Sequence, residues 1–160
     1  MTRTVGTIAA VAFALLCFAP LAHGEEQTRE SYKAQVEPIC QANRTANEKI
    51  MAGARDRVNG GKLELAGKQF IRVSASFGSL IQKLLPVPAP PADARRVERW
   101  FDSMRLLKQR LRLVGKYYEA GEKIKATHEA ILAERSGISA NNTSIVFHFH
   151  YCRFGHFEHS

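Results

Sequence analysis

The stretch with the most potential chemistry lies near the C-terminal end and reads FHFHYCRF, Phe147 to Phe154. Its two histidines and its cysteine could hold a metal ion, because imidazole nitrogen and thiolate sulfur are preferred ligands of zinc. The same cysteine could instead form half of a disulfide. The backbone decides between these chemistries, since a strand and a helix point the same side chains in different directions.

The alternation of aromatic and polar residues in this stretch is typical of a strand. On a strand, His148 and His150 would share a face and could bind one metal ion together. No other part of the chain offers a convincing partner strand, and an unpaired strand leaves its backbone polar groups unsatisfied. We therefore interpret the stretch as helical, which places these two histidines about 200° apart around the axis.

On a helix, the remaining chelate is His148 with Cys152, four residues apart, which His156 and Cys40 could extend into a zinc site. In an oxidising compartment, however, two cysteines that meet usually form a disulfide. The sequence therefore favours a Cys40–Cys152 disulfide, with the zinc site as the alternative. We expect no cofactor, and the chain contains no attachment motif for haem.

The N-terminal residues indicate the compartment. Arg3 precedes an uninterrupted apolar run over residues 8–19, and Ala22-His23-Gly24 offers small residues for cleavage before Glu25. The run is too short to span a bilayer, which takes roughly 20 residues. We therefore predict an exported protein with a cleaved signal peptide, residues 1–24, and a single domain over residues 25–160.

Cleavage would leave 136 of the 160 residues, and only Cys40 and Cys152 of the three cysteines. An even pair of cysteines in an exported protein favours a disulfide. Because Arg3 is the only charged residue removed, the net charge falls from +8 to +7, which is strongly basic. Outside the cytoplasm this charge favours anionic lipids or cell-wall polymers as partners rather than nucleic acid, although a solvated surface is the simpler explanation.

Four segments show the apolar periodicity of amphipathic helices. The first spans residues 28–58 and stops at Asn59-Gly60-Gly61, and the second spans residues 63–84, before a proline-rich connector. The third begins near Ala92, and the fourth runs from Glu122 to Arg153. The predicted core stripe of the fourth helix consists of Ile124, His128, Ile131, Ile138, Asn142, Ile145, Phe149 and Cys152.

Four helices with short or stiff links predict an all-α fold, an antiparallel up-down-up-down four-helix bundle. In that topology the first and fourth helices are neighbours, and Cys40 and Cys152 lie at the same end. A disulfide between them would close a loop of over a hundred residues, which contributes up to about 4.7 kcal/mol in the chain-entropy model. The cysteine pair is therefore expected to staple the bundle.

Two polar sets stand out on the predicted helices. The outer face of the third helix carries the candidate contact surface for a polyanion, which consists of Arg95, Arg99, Arg110, Arg112 and Lys116. Asn43, Asn47 and Asn142 fall on or beside the stripes of the first and fourth helices. We expect these asparagines to form a buried polar layer that fixes helix register, and a polar ligand pocket is the alternative.

Short motifs along the chain resemble a family of uncharacterised exported bacterial proteins, chiefly actinobacterial. The motifs are Tyr32, Pro38-Ile39-Cys40, Asn43, Val87-Pro88-Ala89-Pro90-Pro91, Asn141-Asn142 and Tyr151-Cys152-Arg153-Phe154. The resemblance covers most of the chain after the signal peptide. It implies a small helical exported protein with paired cysteines, and it implies no reaction. The histidines at positions 148, 150, 156 and 159 depart from the family pattern.

The sequence contains no recognisable catalytic constellation, such as a nucleophile elbow or a phosphate-binding glycine loop. We therefore expect a non-enzymatic structural or binding protein of the cell envelope, with its basic face towards anionic polymers or lipids. One alternative is the zinc-binding bundle. The other is a small-ligand carrier, whose pocket would be lined by Phe70, Phe77, Phe101 or Tyr118.

Overall fold

The computed structural model describes residues 26–154, so the predicted signal peptide lies outside the described residues. The helices are α1 (Arg29–Met51), α2 (Ala54–Asn59), α3 (Leu63–Leu84), α4 (Ala94–Glu119) and α5 (Lys123–Thr143), with 3-10 turns at Pro91–Asp93 and Ile145–Phe147. Residues 26–154 contain no strand. None of the helices in this range is long and apolar enough to cross a membrane.

The four long helices pack together, which confirms the predicted all-α four-helix bundle. α3 packs against α1 and α4, and α5 packs against α4. The apolar stripes of α3 and α4 are buried, as Val73, Leu80, Trp100, Met104 and Leu111 show. α1 and α5 are joined mainly by the residues that follow α5, since this C-terminal segment, residues 144–154, contacts both helices.

The first predicted helix, residues 28–58, is two helices rather than one. α1 begins with a capping box, in which the Ser31 amide donates to Thr28 Oγ1 (3.1 Å) and the Thr28 amide donates to Ser31 Oγ (3.0 Å). The helix ends at Met51, because Gly53 takes a φ of +67°, a left-handed conformation that glycine adopts without steric cost. The chain then starts α2 at Ala54, which is buried.

α3 and α4 approach each other closely at two glycines, Gly67 and Gly115. A Cβ atom added to Gly67 would lie 2.6 Å from the carbonyl oxygen of Gly115, and one added to Gly115 would lie 2.8 Å from the carbonyl oxygen of Gly67. Such distances are too short for real Cβ contacts. The absence of both side chains therefore sets the distance between the two helix backbones at this end of the bundle.

α5 presents the opposite face to the core from the one that was predicted. Its buried residues are small: Ala126, Ala133, Ser136, Gly137 and Ala140. The isoleucines assigned to the core are exposed instead, by 87% at Ile124, 48% at Ile131 and Ile138, and 64% at Ile145. The prediction was wrong because it placed the largest apolar residues inside, whereas small residues allow a helix to pack closely on its neighbour.

The prediction that the last helix continues to Arg153 was also wrong, since α5 ends at Thr143. Ser144 Oγ donates to the Ala140 carbonyl (3.0 Å), a local bond that competes with further helix formation. His148 takes a φ of +49°. Beyond it, the amides of His150 and Tyr151 donate to the Glu37 carboxylate in α1. These backbone donors are therefore satisfied without a helix or a strand.

The C-terminal segment closes one end of the core with aromatic rings. Phe147 and Phe149 stack with their ring centroids 5.2 Å apart, and Phe147 also contacts Tyr32 at 5.3 Å. Phe149 lies 5.2 Å from Trp100 of α4. Asn141 Nδ2 donates to the Phe154 carbonyl (2.5 Å), and the Phe154 amide donates back to Asn141 Oδ1 (2.7 Å). The segment is thereby fixed to α5 as well as to the core.

Candidate functional site

The stretch FHFHYCRF contributes Cys152 to a disulfide, and it does not form the helix that would bring His148 and Cys152 together as metal ligands. Cys152 is bonded to Cys40 of α1, and their Cα atoms lie 5.1 Å apart. Its sulfur is therefore not a thiolate that could bind zinc. His148 lies exposed at the end of a 3-10 turn, and His156 lies outside the described residues. Within residues 26–154, no three His, Cys, Asp or Glu side chains lie close enough together to hold a metal ion.

Two of the three predicted asparagines lie together, and the third lies apart from them. Asn43 Nδ2 donates to Ser76 Oγ (2.7 Å) and to the Ser76 carbonyl (3.1 Å), which ties α1 to α3. Asn47 Nδ2 donates to Asn43 Oδ1 at 2.9 Å. Asn142 is exposed, because α5 turns its neighbour Asn141 towards the C-terminal segment instead. The polar layer therefore connects α1 with α3 and does not include α5.

The aromatic residues predicted to line a ligand pocket are packed against other rings. The Phe70 ring lies 5.7 Å from that of Tyr118, and the Phe77 ring lies 5.3 Å from that of Phe154. Phe101 contacts Trp100 with their ring centroids 5.5 Å apart. These rings fill the core between the helices, and they do not face a common pocket.

The predicted basic face of α4 divides into exposed and paired residues. Arg95, Arg99, Arg112 and Lys116 are exposed. Arg110 is half-buried and forms an ion pair with Glu129 of α5, with 2.8 Å between Nη1 and Oε2. Arg110 is therefore part of the contact between α4 and α5, while the other four side chains remain accessible to a partner.

A groove between α4 and α5 collects further polar side chains next to this face. The groove has a volume of about 470 Å³, and we call it the basic groove. It is lined by Arg96, Arg99, Arg135, Ile138, Ser139, Asn142 and Thr143. Arg99 and Arg135 are exposed and make no ion pair within residues 26–154. None of its lining residues between positions 26 and 154 carries a carboxylate, so its chemistry suits an anionic group with several oxygen acceptors.

The third arginine of the basic groove is held in place by its neighbours. Arg96 lies 3.4 Å from the Asp93 carboxylate and donates to the Thr143 carbonyl at the end of α5, also at 3.4 Å. Asp93 is buried and accepts two hydrogen bonds from Arg29 of α1, at 2.5 and 3.0 Å. These bonds from Arg29, together with the charge of Arg96, lower the pKa of the Asp93 carboxyl below its usual range.

Arg96 and Arg135 are not part of the predicted basic face, and the exposed face of α5 beside them was not predicted. A signal for that face was present, since Ile124, Ile131, Ile138 and Ile145 recur every seven residues. Seven residues are close to two helical turns, so Ile124, Ile131 and Ile138 form a row along one side of α5, and Ile145 follows in the 3-10 turn after the helix. We call this set the isoleucine row. The regular spacing of these isoleucines predicts a core stripe, whereas in the fold their side chains are exposed.

No protein-family model, curated protein or solved structure matches this chain. The function is therefore argued from the residues of the chain itself.

Proposed function

We propose that this chain is an exported, disulfide-stapled helical protein of the cell envelope, which acts by binding anionic polymers or lipids. The observation that carries this proposal is the convergence of Arg96, Arg99 and Arg135 in the basic groove, whose lining residues among those the structure describes include no carboxylate. Guanidinium groups bind phosphate and carboxylate oxygens through two parallel hydrogen bonds, which makes arginine better suited to this role than lysine.

Three further features support the same proposal. The chain carries a net charge of +8, which attracts polyanions over a long range. The disulfide suits an oxidising compartment outside the cytoplasm. The apolar run before Glu25 and the resemblance to exported helical proteins agree with export.

Binding to a soluble polyphosphate, measured over a series of salt concentrations, tests this function. We expect affinity to fall steeply as salt rises, because exposed charges more than about 10 Å apart are screened at 0.1 M salt. The double variant Arg99→Gln/Arg135→Gln should weaken binding more than Arg55→Gln/Arg72→Gln, which removes the same charge from exposed positions on α2 and α3. Equal effects of the two variants, or no binding at low salt, would contradict the proposal.

A further inference from the structure

The outer face of α5 combines an apolar row with basic flanks. The isoleucine row extends about 20 Å along the helix from Ile124 to Ile138, at 1.5 Å per residue, and Ile145 follows beyond the end of α5. Its most exposed member is Ile124, with 87% of its surface accessible. Ile138 also lines the basic groove, where it lies beside Arg99, Arg135 and Asn142. The apolar row and the guanidinium groups of Arg99 and Arg135 therefore meet at Ile138.

Acidic residues contribute little to this surface. α5 contains two carboxylates, and Glu129 is paired with Arg110 of α4. Glu134 is exposed beside Arg135 and is the remaining negative charge of the helix. Glu122, which precedes α5, is paired with Lys125. The flanks of the row are therefore net positive, with Lys123, Arg99 and Arg135 as exposed cations.

We propose that the outer face of α5 docks on the surface of an anionic lipid bilayer, with the isoleucine row inserted at the boundary between headgroups and acyl chains. The guanidinium groups of Arg99 and Arg135 bind lipid phosphates at the edge of the row. This inference rests on the proposed function and narrows its partner to one class.

Physical complementarity favours a bilayer over the other possible occupants. An exposed row of aliphatic side chains with flanking Lys and Arg suits a membrane interface, where apolar burial and charge attraction add. A soluble anionic polymer would use the arginines and would leave the isoleucines in water. A second copy of this chain would bring two sets of like-charged arginines together along the same row, which opposes association.

Vesicle binding by the exported form of the chain tests the docking surface. The probes are vesicles of phosphatidylcholine alone and vesicles that also contain phosphatidylglycerol, and co-sedimentation measures the apparent affinity. Wild-type protein should bind only the anionic vesicles. Ile131→Ser/Ile138→Ser should weaken this binding about tenfold, since two aliphatic side chains are removed from the interface. Arg99→Gln/Arg135→Gln should weaken it about thirtyfold, since each cation near an anionic membrane contributes about 1 kcal/mol.

A matched control tests whether vesicle binding needs the isoleucine row itself or only exposed apolar side chains anywhere on the protein. Leu65 and Leu85 belong to α3 and its end, and their exposures of 49% and 44% are close to the 48% of Ile131 and Ile138. Leu65→Ser/Leu85→Ser should change vesicle binding less than twofold. All variants replace exposed residues, and their far-UV circular dichroism and thermal midpoints should match those of the wild type.

Four outcomes would overturn the inference, and polyphosphate binding in the same buffer separates it from the proposed function. If the isoleucine variant binds anionic vesicles like the wild type while the arginine variant does not, the surface binds polyanions without membrane insertion. If the wild type binds polyphosphate but does not bind vesicles, only the lipid inference fails. If it binds neither polyphosphate nor vesicles, both proposals fail. If sedimentation velocity shows a dimer that Ile131→Ser/Ile138→Ser dissociates, and vesicles are not bound, the row is a contact between two copies.

Discussion

The two ends of the bundle are held together by different kinds of contact. At one end, which we call the stapled end, residues far apart in sequence meet: Tyr32 of α1, Trp100 of α4 and the segment that carries Phe149 and Cys152. At the other, which we call the turn end, short turns with glycines at positive φ connect α2 to α3 at Gly61 and α4 to α5 at Gly121. Its core is smaller, centred on Val114, Tyr118 and Ala126.

The difference separates local from non-local sources of stability. The turn end depends on turn conformations, which neighbouring residues encode, together with the close approach of α3 and α4 at Gly67 and Gly115. The stapled end depends on a contact across 112 positions of the chain, whose formation costs the entropy of closing a long loop. Changes at the stapled end should therefore destabilise the C-terminal segment as a whole. Changes at the turn end should instead alter the distance between α3 and α4.

The largest effect is expected from removing the disulfide. Cys40→Ala/Cys152→Ala should lower the free energy of unfolding by about 2–5 kcal/mol, because the bond restricts a long loop in the unfolded chain. Denaturant unfolding under oxidising conditions measures this change, and reduction of the wild type should reproduce it. The amides of His150 and Tyr151, which donate to Glu37, should then exchange faster with solvent than those of α3. Uniform exchange in both regions would contradict a local role for the bond.

At the turn end, Gly67→Ala should lower the free energy of unfolding by about 1–3 kcal/mol, because the added methyl group overlaps the Gly115 carbonyl across the α3–α4 contact. Gly78→Ala is the matched control on the same helix. There the nearest atoms belong to the flexible Lys108 side chain, at 3.3 Å, so the gain in helix propensity of up to about 1 kcal/mol should dominate. Thermal unfolding of both variants provides the comparison, and equal destabilisation would refute the proposed contact.

The Asp93 ion pair at the stapled end should make stability depend on pH. The pKa of Asp93 is lower in the folded protein than in the unfolded chain, so the ion pair contributes stability above the usual aspartate pKa of about 4. This contribution is lost as the pH falls from about 4 through the lower, folded-state value. Asp93→Asn should therefore be destabilising at pH 7 and nearly neutral well below pH 4.

The control for this dependence is Asp102→Asn, which removes a carboxylate that pairs with Arg105 while 65% exposed. Exposed ion pairs contribute little, so this variant should resemble the wild type at every pH. Stability is measured by urea unfolding across the pH range. A constant difference between Asp93→Asn and the wild type would contradict the ion-pair explanation.

The smallest effect concerns the Tyr32 hydroxyl, which is buried and has no hydrogen-bond partner within the described residues. Burial raises the pKa of the Tyr32 hydroxyl, which therefore stays protonated and neutral. Tyr32→Phe should leave the free energy of unfolding unchanged or raise it by up to about 1 kcal/mol, because an unpaired polar group leaves the core. Tyr117→Phe, at a half-buried tyrosine, is the comparison. A loss above about 1 kcal/mol for Tyr32→Phe would imply a buried partner for the hydroxyl.

Periodicity and turn residues alone determined much of the bundle. The helical class, the breaks near Gly60 and Ala120, and the buried stripes of α3 and α4 follow from apolar spacing and from glycine conformations, which are local properties. The Cys40–Cys152 pair also followed from the sequence, although Cys152 reaches α1 from an irregular segment rather than from a helix.

Only the tertiary structure decided which face of α5 is buried. Both faces carry apolar residues, so the pattern could not choose between the isoleucine row and the small residues around Ala133 and Gly137. The close approach to α4 selects the small face. The basic groove follows from that choice, since it places Arg135 and Asn142 of α5 beside Arg99 of α4. The position at which α5 ends also depends on distant residues. Glu37, over a hundred positions away, supplies the hydrogen-bond acceptors that a longer helix would have provided.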